Sequence, residues 1–139
     1  MKPRISYIVC STARTGSTLL CLGLQRTGVC GIPEEYFNPS TAFKIQDKSL
    51  GLAAYGAYLD EVLVKGATPN GVFGLKIHWA NWLGFLARIK RMDRYKGTAI
   101  SVILNKIFPG VRYLYIRRRD IVRQAVSLEK AFQTNVWTI

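Results

Sequence analysis

The apolar run Ile5-Ser-Tyr-Ile-Val9 is too short for a helix and predicts a buried strand. From Ser17 the period changes. Leu19, Leu20, Leu22 and Leu24 recur at helical spacing as far as Arg26, and Gly28 supplies a stop. Gly31, Pro33, Asn38 and Pro39 make 28–42 a loop. Helical spacing returns over 50–64 and closes at Lys65-Gly66, before the turn Thr68-Pro-Asn-Gly71. A second buried strand is expected over 72–77 and a helix over 80–89. Residues 90–97, Lys-Arg-Met-Asp-Arg-Tyr-Lys-Gly, are polar and read as a mobile connection. A short helix over 100–107 ends at Pro109-Gly110, and a third strand covers 111–116. Asp120 is placed to cap a last helix over 121–132.

Strands alternating with helices imply the α/β class, with a P-loop-like parallel sheet flanked by helices and right-handed crossovers. Three strands make a thin sheet. No repeat or linker divides the chain, so residues 1–139 are expected to form a single domain. The helices over 80–89 and 121–132 carry more apolar surface than so small a core buries. The 139 residues by themselves are therefore expected to self-associate.

Composition adds an anionic partner to this picture. Hydrophobic residues make up 49% of the chain, enough for a globular core. Lys and Arg number 20 against 8 acids, a formal charge of +12, which favours a nucleotide, a nucleic acid, an acidic lipid surface or a sulfated or phosphorylated substrate. Cys10, Cys21 and Cys30 have no metal-ligand spacing and read as reduced thiols of a cytoplasmic protein. No apolar run reaches membrane-spanning length.

Four clusters carry candidate chemistry. Ser11-Thr-Ala-Arg-Thr-Gly-Ser-Thr18 has Walker A spacing, with Ser11 for the first glycine and Ser17 for the lysine. A strand, a turn at Gly16 and a helix start aim backbone N–H groups at an anion. Arg14 adds a cation, and Thr15, Ser17 and Thr18 add hydroxyls. The missing lysine argues against Mg-ATP. In the second cluster, the arginines 117–119 lie where a strand end meets a helix, and Ser127 lies two turns into that helix. Together they have the chemistry to grip a phosphate, or they are a solvated turn. The third is Glu34-Glu35 in the loop, where a carboxylate over an anion site would accept a hydroxyl proton or balance nearby arginines. The fourth is Lys76-Ile-His78 at a strand end. Alternation puts Lys76 and His78 on one face, and the lone His78 is either a base or structural.

The stretches 10–20, 27–37 and 68–79, then Arg118 with Gln124-Ala-Val-Ser127 and the run 133–137, resemble the bacterial trehalose 2-sulfotransferase family in order and spacing. The resemblance covers essentially the whole chain, which matches about the first half of a typical member. It implies an incomplete sulfotransferase domain using the donor 3′-phosphoadenosine 5′-phosphosulfate (PAPS) and no metal. By motif match, Arg14, Thr15, Gly16, Ser17 and Thr18 would hold the 5′-phosphosulfate, with Arg14 also assisting catalysis. Arg118 and Ser127 would hold the 3′-phosphate, and Glu35 would be the catalytic acid–base group. Arg119 stands where the family usually has proline, so the arginine register is open by one. His78 lies in a Lys-x-His pattern like that of other sulfotransferases whose base is a histidine, and it rivals Glu35. The implied acceptor is a hydroxyl of a small molecule, a carbohydrate such as trehalose, or a glycolipid. Neither nucleic acid nor an integral membrane segment is implied, and a homodimer is left open. Two other classes fit parts of the chain. A nucleotide kinase needs the Walker lysine and a metal-binding acid at a strand end. A basic nucleic-acid-binding module needs aromatics interleaved with the charges, whereas here they fall mainly in apolar elements.

Overall fold

The computed structural model describes residues 2–39 and 51–137. The elements are β1 (Ile5–Ser11), α1 (Ser17–Arg26), α2 (Leu52–Lys65), β2 (Val72–His78), α3 (Trp79–Arg91), α4 (Ile100–Ile107), β3 (Arg112–Tyr115) and α5 (Ile121–Thr134). The expected end of the loop at Ala42 and the expected helix start at Leu50 lie outside the described residues. The three strands are parallel in the order β2-β1-β3, so the architecture is the α/β class expected from alternating strand and helix patterns. Ile5 pairs with Val72 and Ser11 with His78 across β1–β2, while Cys10 pairs with Tyr115 across β1–β3. All three strands therefore end on one edge, which gathers Ser11, His78 and Tyr115.

Alternation along β2 separates two environments. Phe73, Leu75 and Ile77 join Ile8 and the apolar residues Leu59, Val62, Phe85, Ile89, Ile103 and Phe108 in one core. The intervening Gly74, Lys76 and His78 point to the opposite side of the strand. The outer edge of β2 is covered by the loop after α1. There Gly31 has φ +71, and a Cβ on it would lie 2.5 Å from the Gly74 nitrogen, so only glycine admits this close approach. The Lys76 N–H donates to the Glu34 carbonyl at 3.1 Å, which fixes that loop beside the strand end.

Two expectations are corrected by the packing. Residues 90–97 were expected to be a mobile connection, but α3 runs through Arg91 and a 3₁₀ turn covers Asp93–Tyr95. Met92, only 5% exposed, plugs into the core and anchors this stretch, and Arg94 reaches Asp60 at 3.7 Å. The leucines of α1 do follow a helical period, yet Leu19, Leu20 and Leu22 are exposed, and only Ser17 and Cys21 of that helix are buried. At the other sheet edge all four residues of β3 are exposed. On α5 only Ala131 is buried, while Ile121, Val122, Val126 and Phe132 face outward.

Candidate functional site

The site is assembled on the carboxyl edge of the sheet, where a parallel strand order leaves room for ligands. The connection from β1 to α1 turns through two residues of positive φ, Arg14 at 63° and Gly16 at 88°. Glycine takes this conformation freely. For arginine it is uncommon, and it is held here by tertiary contacts. Arg14 Nε donates to Ser127 Oγ at 2.8 Å and its Nη1 to the Trp137 carbonyl at 2.5 Å. Gln124 of α5 donates to the Ala13 carbonyl at 2.7 Å and lies 3.2 Å from Thr12 Oγ1. Helix α5 thus braces the loop from one side.

The loop hydroxyls divide by role. Thr15 Oγ1 donates to the Thr12 carbonyl at 3.0 Å, so it closes the turn. Ser17 is 3% exposed, whereas Thr18 is exposed and sits opposite Lys76. The turn at Gly16 leads directly into α1, and this places the positive end of the helix dipole at the loop. Arg118 is half-buried just past β3, between exposed Arg117 and Arg119. Ser127 is engaged by Arg14.

The second half of the site lies across the same edge. Glu35 Oε1 is 2.7 Å from Lys76 Nζ and 3.1 Å from His78 Nε2, and Asn38 Nδ2 donates to Oε2 at 2.7 Å. His78 Nδ1 is 3.0 Å from Ser11 Oγ, so both ring nitrogens are engaged. In the neutral ring with Nε2–H facing the carboxylate, Nδ1 is an acceptor for the Ser11 hydroxyl. Lys76 Nζ also donates to Thr18 Oγ1 at 3.0 Å, joining the carboxylate cluster to the loop 11–18.

Of the two loop acids, the structure separates Glu35, half-buried in this cluster, from exposed Glu34, whose backbone pairs with β2. Burial pushes the Glu35 carboxyl up, but hydrogen bonds from His78, Lys76 and Asn38 and the Lys76 charge outweigh it and bring it down to about 2. Burial also raises the Cys21 thiol to about 11, with Lys76 opposing and Glu35 adding to the shift, so this cysteine is an un-ionised packing residue. A carboxyl lowered on folding stabilises the folded state above its usual range, and that contribution is lost as protons return. Unfolding free energy is therefore expected to fall as pH drops from about 4.5 to about 2, with Glu35→Gln removing that part of the slope. Urea titrations at stepped pH, followed by circular dichroism, measure this. An unchanged slope in Glu35→Gln would remove Glu35 as the group responsible.

Among the described residues no group of three or more His, Cys, Asp or Glu side chains is placed to hold a metal ion, and no helix is long and apolar enough to cross a membrane. The Stf0 sulphotransferase family model matches residues 6–139, nearly the entire chain. The chain belongs to the Stf0 sulphotransferase family. It is 33% identical to a trehalose 2-sulfotransferase of Mycolicibacterium smegmatis (strain ATCC 700084 / mc(2)155), an alignment covering 95% of this chain and 58% of the relative. It is 32% identical to a trehalose 2-sulfotransferase of Mycobacterium tuberculosis (strain ATCC 35801 / TMC 107 / Erdman), covering 94% and 58% respectively. The chain thus spans somewhat over half the length of these relatives.

Three residues of this cluster were given no role from sequence. Lys76 carried a signal, a lysine inside an apolar strand on the same face as His78, but its partners Glu35 and Thr18 are distant in sequence. Ser11 stood only as the first position of the Walker-like spacing and Gln124 only as part of the block 124–127, and neither carried a signal of its partner. Their contacts arise only when α5 and β2 meet the loop.

Proposed function

We propose that this member of the Stf0 family transfers a sulfuryl group from PAPS to a hydroxyl of a carbohydrate or glycolipid, trehalose or a similar sugar being the acceptor class that the relatives' names suggest. The observation that carries the reading is the Glu35 cluster beside a cationic strand–loop–helix turn. One carboxylate is linked through Lys76 to Thr18, and through His78 to Ser11, of the loop that would hold an anionic donor. The loop 11–18 contains Arg14, exposed Thr18 and a helix N-terminus and has no acidic side chain, a set that suits a phosphosulfate.

In this reading Arg14, Thr18 and the backbone of Thr15, Gly16 and Ser17 hold the 5′-phosphosulfate. Arg118 and Ser127 hold the 3′-phosphate; the half-buried position of Arg118 favours it over its two neighbours. Glu35, ionised at neutral pH, accepts the hydrogen bond of the acceptor hydroxyl. As the O–S bond forms, that hydroxyl acidifies and its proton passes to Glu35. The S–O bond to the phosphate breaks, and 3′,5′-bisphosphoadenosine leaves. A sulfuryl group carries less charge than a phosphoryl group, so Arg14 and loop amides stabilise the leaving phosphate without a metal. His78 is better suited to orienting Glu35 than to being the base, because its Nε2 faces that carboxylate and its Nδ1 faces Ser11. Residues 1–139 are then one partial sulfotransferase domain. Free thiols at Cys10, Cys21 and Cys30 suit a reducing cytoplasm.

Calorimetric titration with 3′,5′-bisphosphoadenosine against ADP tests the donor, and transfer of labelled sulfur from PAPS to trehalose tests the reaction. Tighter binding of the 3′,5′-bisphosphate than of ADP is expected. The Arg118→Ala/Ser127→Ala double variant should lose the preference for the bisphosphate over 5′-AMP. If discrimination survives there and collapses in Arg117→Ala or Arg119→Ala, the phosphate-binding arginine is a neighbour. Equal affinity of the native protein for the bisphosphate and ADP would remove PAPS as the donor.

A further inference from the structure

Lys76 is the side chain in this site whose presence β2 itself least requires. It is 5% exposed, and it shares its face of β2 with buried Gly74 and half-buried His78, while Leu75 and Ile77 face the core on the other side. Burying an ammonium is costly unless it is paired, and an apolar side chain of similar volume commonly serves stability as well as a buried ion pair. The strand therefore gives no reason for a lysine here. The two groups it touches do.

An ammonium only donates hydrogen bonds. Thr18 Oγ1, 3.0 Å away, must accept from it, which turns the hydroxyl's single proton toward a different partner on the loop side. Glu35 Oε1, 2.7 Å away, must also accept. One buried charge thereby sets the polarity of a hydroxyl in the anion loop and the alignment of the carboxylate across from it. We propose that Lys76 is the positioning residue that couples the two halves of the site: it orients Thr18 as a donor to the sulfuryl donor's 5′ end and holds Glu35 toward the acceptor. This inference rests on the sulfotransferase reading for the identity of the ligand, and on the geometry alone for the coupling.

The test compares Lys76→Met, Lys76→Arg, Thr18→Val and Lys76→Met/Thr18→Val in the full chain, each checked for folding by circular dichroism. Carbon-13 NMR of the Glu35 carboxyl reads one end of the bridge. Besides Lys76, the groups facing Glu35 include His78 on β2, Asn38 in its own loop and Cys21 on α1. With these unchanged, Lys76→Met is expected to raise the titration midpoint of Glu35 by about 1 unit or more, and Lys76→Arg to restore most of the shift. Calorimetry with 3′,5′-bisphosphoadenosine reads the other end. Lys76→Met and Thr18→Val should each weaken binding by roughly 3- to 10-fold, and the double variant should be no worse than the poorer single one.

Additive losses in the double variant, or an unmoved Glu35 titration in folded Lys76→Met, would overturn the coupling. If Lys76→Met does not fold, Thr18→Val decides: it should weaken binding with the Glu35 titration unchanged, and native affinity in that variant would sink the proposal. If the native protein does not bind the bisphosphate at all, the donor assignment fails, and the carboxyl titration by itself still upholds or rejects the bridge.

Discussion

Glu35→Gln is expected to lower turnover by roughly 10²–10⁴-fold while leaving affinity for 3′,5′-bisphosphoadenosine nearly intact. The amide keeps the size of the carboxyl group but cannot accept a proton at neutral pH. Glu35 touches the loop 11–18 through intermediaries, Lys76 to Thr18 and His78 to Ser11, so a loss confined to turnover is the signature of a base and not of a binding residue. His78→Ala should cost much less, because the imidazole contacts Glu35 and Ser11 and, on the proposed reading, would act on the reaction through the carboxylate. Steady-state transfer from PAPS with both substrates varied gives the two constants separately. The reverse ranking of the two variants would move the base to His78 and leave Glu35 as an acceptor-binding or structural residue.

Arg14→Ala is expected to weaken bisphosphoadenosine binding by roughly 10- to 150-fold, equivalent to about 1.5–3 kcal/mol for a lost charge-assisted contact. Arg14 is the only cation within 11–18. Its guanidinium is already anchored by Ser127 and the Trp137 carbonyl, so little side-chain freedom remains to be lost on binding. The positive φ of 63° supplies a control. Glycine relaxes that backbone strain and alanine does not. Equal losses in Arg14→Gly and Arg14→Ala assign the effect to the guanidinium. Recovery of affinity in Arg14→Gly would assign it to loop geometry. Unchanged affinity and turnover in both folded variants would refute the donor-binding role.

The strands and helices were legible because each is written in a local period. The run 5–9 lies in β1, the run 72–77 in β2, and the capping role of Asp120 is present as a hydrogen bond from the Arg123 N–H. The turn at Gly16 was equally local, since positive φ and the step from strand to helix leave a signature within a few residues. Residues 90–97 were misread because polarity dominates that stretch. The single apolar Met92 anchors it, and one residue makes no period.

The candidate site is another matter. Arg14, Thr18, Glu35, His78, Arg118 and Ser127 were all identifiable as residue types in suggestive places. Which of them meet was decided by the sheet order β2-β1-β3, which places the ends of β1 and β2 side by side although 67 positions separate Ser11 from His78. Glu35 rather than Glu34 enters the cluster because the Glu34 carbonyl is bonded to the Lys76 N–H, which fixes the loop's register against β2. Lys76 joins Thr18 to Glu35 for the same reason, and Gln124 and Ser127 brace the loop only because α5 returns beside it. Sequence by itself determined the elements, the strand–turn–helix step at 11–18 and the pool of candidate groups, because those follow from neighbours along the chain. Tertiary structure alone decided the pairings, because a hydrogen bond between residues tens of positions apart depends on strand order, register and burial, none of which a local pattern carries.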